Sequence, residues 1–161
     1  MYNLSIDDKA FREHLVKSLK GGQAFVSFKN ALEGVKPEIR NVRPKKELHS
    51  VYEELEHMRR AQKDLIDFAL DPDWKPATWP DGFWPEPNKT VTEEDWDKTV
   101  QGFTRDLNRA IKLAKDANID LFSNVPMTEN TYLREIMIII EHNAYHLGKI
   151  LDIRKALGNW K

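Results

Sequence analysis

Apolar residues recur at helical spacing in four stretches of this chain. In the first, from Ser5 to about Leu32, Phe11, Leu15, Val16 and Leu19 share a face, and Phe25, Phe28, Ala31 and Leu32 resume it after Gly21-Gly22. Ser5 reads as an N-cap followed by Asp7 and Asp8, where the helix dipole favours negative charge. The paired glycines weaken or break this segment, and Gly34 and Pro37 end it. Residues 35–46 read as a linker with at most a short turn of helix. The second stretch runs from about Glu47 or Leu48 to Leu70, with Leu48, Val51, Leu55, Met58, Leu65, Ile66 and Ala69 on one broad face, and stops at Asp71-Pro72. The third starts at Thr92, with Asp95 placed to complete a capping box, and continues through Trp96, Val100, Phe103, Leu107 and Ile111 to about Ala117. The fourth runs from about Glu129 to Leu157 and ends at Gly158, a residue suited to the left-handed position after a helix. No strand-type alternation persists beyond a few residues. Four helices with one long connection predict a single all-α domain over residues 1–161, a four-helix bundle.

That long connection, residues 71–91, holds five of the eight prolines and three of the five tryptophans. So many rigid aromatics predict an ordered loop packed onto the domain, over a pocket, rather than a solvated tether.

Composition narrows the function classes. The 161 residues carry 25 basic and 26 acidic side chains, a net charge of −1, which argues against charge-driven nucleic-acid binding. With no cysteine there is no disulfide, no thiolate metal site and no cysteine nucleophile. The N-terminal stretch is charged and amphipathic, unlike a secretory signal. The longest apolar run, Ile136–Ile140, is far short of the roughly 20 residues that span a bilayer. The expectation is a cytoplasmic protein without a membrane or nucleic-acid partner.

The candidate chemistry lies in five histidines: His14, His49, His57, His142 and His146. His142 and His146 are four apart on the fourth helix, roughly 40° from each other around its axis, so both imidazoles can reach one ion at roughly 2.1 Å. They lie with Ile138, Ile139, Ile150 and Ile153, off the polar stripe of Arg134, Glu141 and Asp152. Two histidines on an apolar face must find partners. They are either metal ligands or core histidines bonded to backbone or carboxylates. His57, mid-way along the second helix and level with Ser50, Glu53, Ala61 and Asp64, is the best-placed third ligand, although a histidine so placed, read alone, is more often a solvated surface residue. Glu53, one turn before it, or Asp64, two turns after, could orient a ligand imidazole, and Glu53 is also the candidate general base. His49 reads as a cap or pocket-rim residue and His14 as structural. Other templates fail: Glu141 precedes His142 instead of lying between the pair as in HExxH, and the paired Glu-x-x-His motifs of di-iron bundles are incomplete.

The segments LHSVYEELEHMRRAQKDLIDF, TWPDGFWP and YLREIMIIIEHNAYHLGKILDIRKALG, with LKGGQAFVSFKNALEGV near the N-terminus, resemble the DinB/YfiT-like family of bacterial metal-binding proteins. The resemblance covers nearly the whole chain in order, and HNAYHLG with the following Arg154 is its most specific part. It implies a four-helix bundle with a long crossover, often a homodimer, that holds a divalent ion, zinc or nickel, on three histidines. Those ligands fall on His57, His142 and His146. Lys149 stands where the family often has glutamine. The family includes metal-dependent transferases of low-molecular-weight thiols and an isomerase using mycothiol. The resemblance therefore implies a metal-dependent enzyme acting on a small molecule, either a hydrolase or a transferase with a thiol cosubstrate. The alternative is a non-catalytic dimer that binds metal or a partner. The side of the fourth helix carrying Leu133, Ile140, Ala144, Leu147 and Leu151 would face a second subunit or the bundle interior.

Overall fold

A computed structural model describes residues 8–87 and 89–160. The described residues are helical and contain no strand: α1 (Asp8–Lys20), α2 (Phe28–Leu32), α3 (Val51–Leu70), α4 (Glu93–Lys115) and α5 (Tyr132–Ala156), with short 3-10 turns at Pro37–Ile39 and Asp81–Phe83. The expected cap at Ser5 and Asp7 lies outside the described residues.

The first apolar stretch is two helices rather than one. Gly21 and Gly22 adopt φ of 68° and 85°, where a side chain is strained, and the chain leaves the helix. It re-enters at α2, where the Ser27 side chain caps the Asn30 amide. The start of α3 is also later than the hydrophobic pattern suggests. Leu48 is 46% exposed and outside the helix, because Ser50 is the N-cap: its hydroxyl accepts from the Glu53 amide and the Glu53 carboxylate accepts from the Ser50 amide. The capping box expected at Thr92 and Asp95 is present at the head of α4. Thr131 caps α5 three residues past the expected start. At its far end Gly158 has φ 68°, its amide bonds Lys155 O, and the Asn159 amide bonds Arg154 O, the paired contacts of a Schellman ending.

Helix α3 packs against α4 on one side and α5 on the other, and α1 touches both α4 and α5, so the four long helices enclose one core. Leu19, Leu55, Met58, Ile66, Phe103, Ile136, Ile139 and Ile150 are fully buried in it. Among the described residues no helix is long and apolar enough to cross a membrane. The connection from α3 to α4 is ordered against the bundle. Phe83 and Trp84 lie on α3, the Arg60 guanidinium donates to Gly82 O and Trp84 O, and Trp74 Nε1 donates to Asp64. These contacts fix the loop over the groove where α3 meets α5.

Candidate metal centre

Three of the five histidines meet in the α3–α5 groove. His57 comes from the middle of α3, His142 and His146 from successive turns of α5, and one ligand atom from each lies within 4.8 Å of the other two. His57 Nε2 and His142 Nε2 are 3.1 Å apart, close to the roughly 3.4 Å that separates two nitrogens on one tetrahedral ion. His57 and His146 are buried, 4% and 5% exposed.

The surroundings fix which nitrogen of each ring points inward. His57 Nδ1 is 3.0 Å from Phe83 O. A carbonyl only accepts, so Nδ1 carries the hydrogen and Nε2 presents its lone pair. His146 Nδ1 is 2.5 Å from a Glu54 carboxylate oxygen, which likewise leaves Nε2 for an ion. His142 Nδ1 is buried without a partner among the described residues. Its neighbour Asn143 donates to Gln62 Oε1 at 2.7 Å, and Gln62 donates to Phe103 O at 2.8 Å. That chain runs in one direction, since Phe103 O must accept, and it leaves Asn143 Oδ1 as a buried acceptor beside the imidazole.

Burial pushes the His57 imidazole down to about 4, only partly offset by the Phe83 hydrogen bond, and a positive His146 would push it lower still. Burial pushes His142 to about 3, with His146 and His57 acting the same way. Both rings are therefore neutral at physiological pH, the state a metal ligand requires. Glu54 is 1% exposed. Burial alone would raise its carboxyl, but the hydrogen bond and charge of His146, with the charge of Lys149, hold it below the usual range.

Glu54 is the residue the sequence reasoning missed. Its oxygens also meet His49 Nδ1 at 3.1 Å and lie 3.9 Å from Lys149 Nζ. Glu53, expected to orient an imidazole or act as base, is instead engaged in the capping box and by Arg43, whose Nε and Nη2 lie 2.9 and 2.5 Å from its oxygens. Asp64 accepts from Trp74. One residue further along a helix turns the side chain about 100°, which carries Glu54 toward α5 and leaves Glu53 at the helix start. The sequence holds a signal for it: Glu54 falls between Val51, Leu55 and Met58 on the apolar stripe, where an unpaired carboxylate would be costly.

His49 lines the rim. Its ring stacks on Trp84 at 4.0 Å, and the other face of the site is set by Trp84 lying parallel to His57 at 3.9 Å and 2°. His14 is exposed on α1 and does not belong to the cluster, and Glu141 is exposed on α5. Comparison with protein-family models, with curated protein sequences and with solved structures finds no match.

Proposed function

We propose that this chain is a metal-dependent enzyme of the DinB/YfiT-like kind, with a divalent ion, zinc or nickel, held by His57, His142 and His146. The observation that carries this is the convergence of three imidazoles, with one nitrogen of each within 4.8 Å of the other two. His57 is fixed as an acceptor by Phe83 O, yet its Nε2 faces His142 Nε2 at 3.1 Å. Without a cation, His142 donates its Nε2 hydrogen to that lone pair, which leaves its buried Nδ1 an acceptor with no partner among the described residues. A cation held there would take the Nε2 lone pairs of both rings, with the His142 hydrogen then on Nδ1.

Three neutral ligands leave part of the coordination sphere open, the arrangement of catalytic sites rather than closed structural ones. A bound ion would supply Lewis acidity, activating a water for hydrolysis or a thiolate for transfer. The chain's own residues do the rest. Glu54 and Phe83 O hold two ligand rings in register, Trp84 excludes water from one side of His57, and Lys149, 4.6 Å over the Tyr145 ring, places a positive charge at the edge of the site.

The test is the metal content of protein purified from zinc- or nickel-supplemented cells, with and without His146→Ala. One equivalent in the wild type and less than a tenth in the variant is expected; equal metal in both overturns the reading.

A second reading, a helical dimer, is favoured by the outward side of α5. Met137 there is 56% exposed, and Leu133, Ile140 and Leu151 are only partly covered, although Leu147 turns inward and is 1% exposed. A homodimer would bury this side, and sedimentation at micromolar concentration checks it: a monomer removes the dimer and leaves the metal site untouched.

A further inference from the structure

Among the described residues three buried side-chain polar atoms have no hydrogen-bond partner: Arg40 Nε, His142 Nδ1 and Asn143 Oδ1. Buried polar groups are otherwise almost always paired, so each such atom calls for a physical reason. Two of the three belong to neighbouring residues of α5 at the metal centre, and one hydrogen placed between them would satisfy both. From this we infer that Asn143 is a positioning residue of the metal site: its Oδ1 accepts the Nδ1 hydrogen of His142 and so aims His142 Nε2 at the ion. The inference rests on the metal reading above.

The direction of Asn143 is set from outside the site. Phe103 O on α4 accepts from Gln62 Nε2 at 2.8 Å, so Gln62 on α3 turns its Oε1 the other way, and Asn143 Nδ2 donates to that oxygen at 2.7 Å. Gln62 and Asn143 are both fully buried. An amide held by its nitrogen in this way leaves Oδ1 as a fixed acceptor. Burial lowers the His142 imidazole, and a hydrogen bond with Asn143 acts in the opposite sense, as an acceptor within reach of the ring does.

The other two ligands are built alike. His57 Nδ1 is held by Phe83 O and His146 Nδ1 by Glu54, one acceptor behind each ring. Asn143 supplies the third. While His142 keeps its hydrogen on Nε2, shared with His57 Nε2, its Nδ1 and Asn143 Oδ1 are two buried acceptors with no donor, an arrangement that disfavours this tautomer. Moving the hydrogen to Nδ1 pairs both atoms and frees the Nε2 lone pair. A tie between α3 and α5 alone would need only the Asn143 nitrogen and would not leave its oxygen buried beside a ligand ring.

Zinc titration of the full chain and two variants tests this. Asn143→Leu, of similar size, removes the acceptor and weakens zinc binding about 10–100-fold. Asn143→Asp keeps an oxygen for His142 and, as a neutral acid, still donates to Gln62; it binds zinc at least about fivefold more tightly than Asn143→Leu. A merely structural asparagine would not separate the two variants in this order. Histidine side-chain NMR spectra of the zinc-loaded wild type give a second measurement: His142 shows an Nδ1 proton that is hydrogen-bonded and slow to exchange with water. If Asn143→Leu loses the helical signal of the wild type, these spectra decide. Equal zinc affinity in wild type and Asn143→Leu, Asn143→Asp no tighter than Asn143→Leu, or a freely exchanging Nδ1 proton overturns the role of Asn143 and leaves the three ligands standing. A wild type that binds no zinc overturns the metal reading itself, and this inference with it.

Discussion

Of the three buried glutamates on helix α3, Glu54 and Glu56 lie two residues apart and meet opposite chemistry. Glu54 faces α5 and meets two imidazoles, those of His146 and His49; Glu56, about 200° around the helix, faces α4 and meets two guanidinium groups. Burial pushes both carboxyls up, and the partners of each more than reverse it. The difference lies in what the partner can do. Arginine is charged at every accessible pH, so Glu56 sits in fixed ion pairs with two arginines of its own helix, and Thr99 Oγ1 donates to it from α4. Histidine is charged only conditionally, so Glu54 chooses a tautomer: it holds the hydrogen of His146 on Nδ1 and turns Nε2 inward. The same residue type on the same helix makes a strut on one side and a ligand-positioning group on the other.

The sharpest way to break this contrast is at the imidazoles. His57→Ala or His142→Ala, measured by zinc titration, should weaken metal binding by three orders of magnitude or more, while His49→Ala, which removes a rim residue, should change it less than tenfold. Comparable losses in all three would dissolve the distinction between ligand and rim.

Acid should expose the same contrast in stability. His57 and His142 titrate near 4 and 3 in the folded chain against 6.5 when unfolded. Between those values the unfolded chain binds more protons, so the metal-free protein loses stability as pH falls from about 6.5 toward 4 and regains it on return. His57 alone accounts for about 3 kcal/mol of that loss. Urea melts of metal-free wild type and His57→Leu across this window check it: the variant should lose less stability on acidification, and parallel curves would contradict the assignment.

The two glutamates themselves give a crossed pair. Glu54→Gln should weaken metal binding about 10–100-fold and leave the α3–α4 groove intact. Glu56→Gln should leave metal affinity within about twofold and lower folding stability by roughly 1–3 kcal/mol, since it strips a buried acceptor from two arginines. Melts and metal titrations on both variants would show whether the effects cross as expected. Smallest of all, Trp84→Leu removes the ring stacked on His57 and His49 and should cost about two- to tenfold in metal affinity.

Much of this was legible in the chain. The apolar periodicity located the long helices, because their buried faces repeat every three or four residues, and Thr92-Asp95 marked a helix start through a local hydrogen-bond pattern. The start of α3 was written in the same code, Ser50-x-x-Glu53, but apolar Leu48 drew the boundary outward. The histidine cluster could be anticipated on one helix from the spacing of His142 and His146. Its third member could not be derived that way, because the rotation of α3 against α5 is a packing outcome. Glu54 and Trp84 were obscured for related reasons. A lone glutamate on an apolar stripe identifies a buried site without naming its partner, and a loop tryptophan finds its place only when the loop is folded against α3.

Anomalous diffraction from crystals of the zinc-loaded protein tests the central claim most directly. A single peak about 2.1 Å from the Nε2 atoms of His57, His142 and His146, with Glu54 still on His146 Nδ1, is the predicted result. A peak elsewhere, or zinc ligated by only one of the three rings, would contradict it.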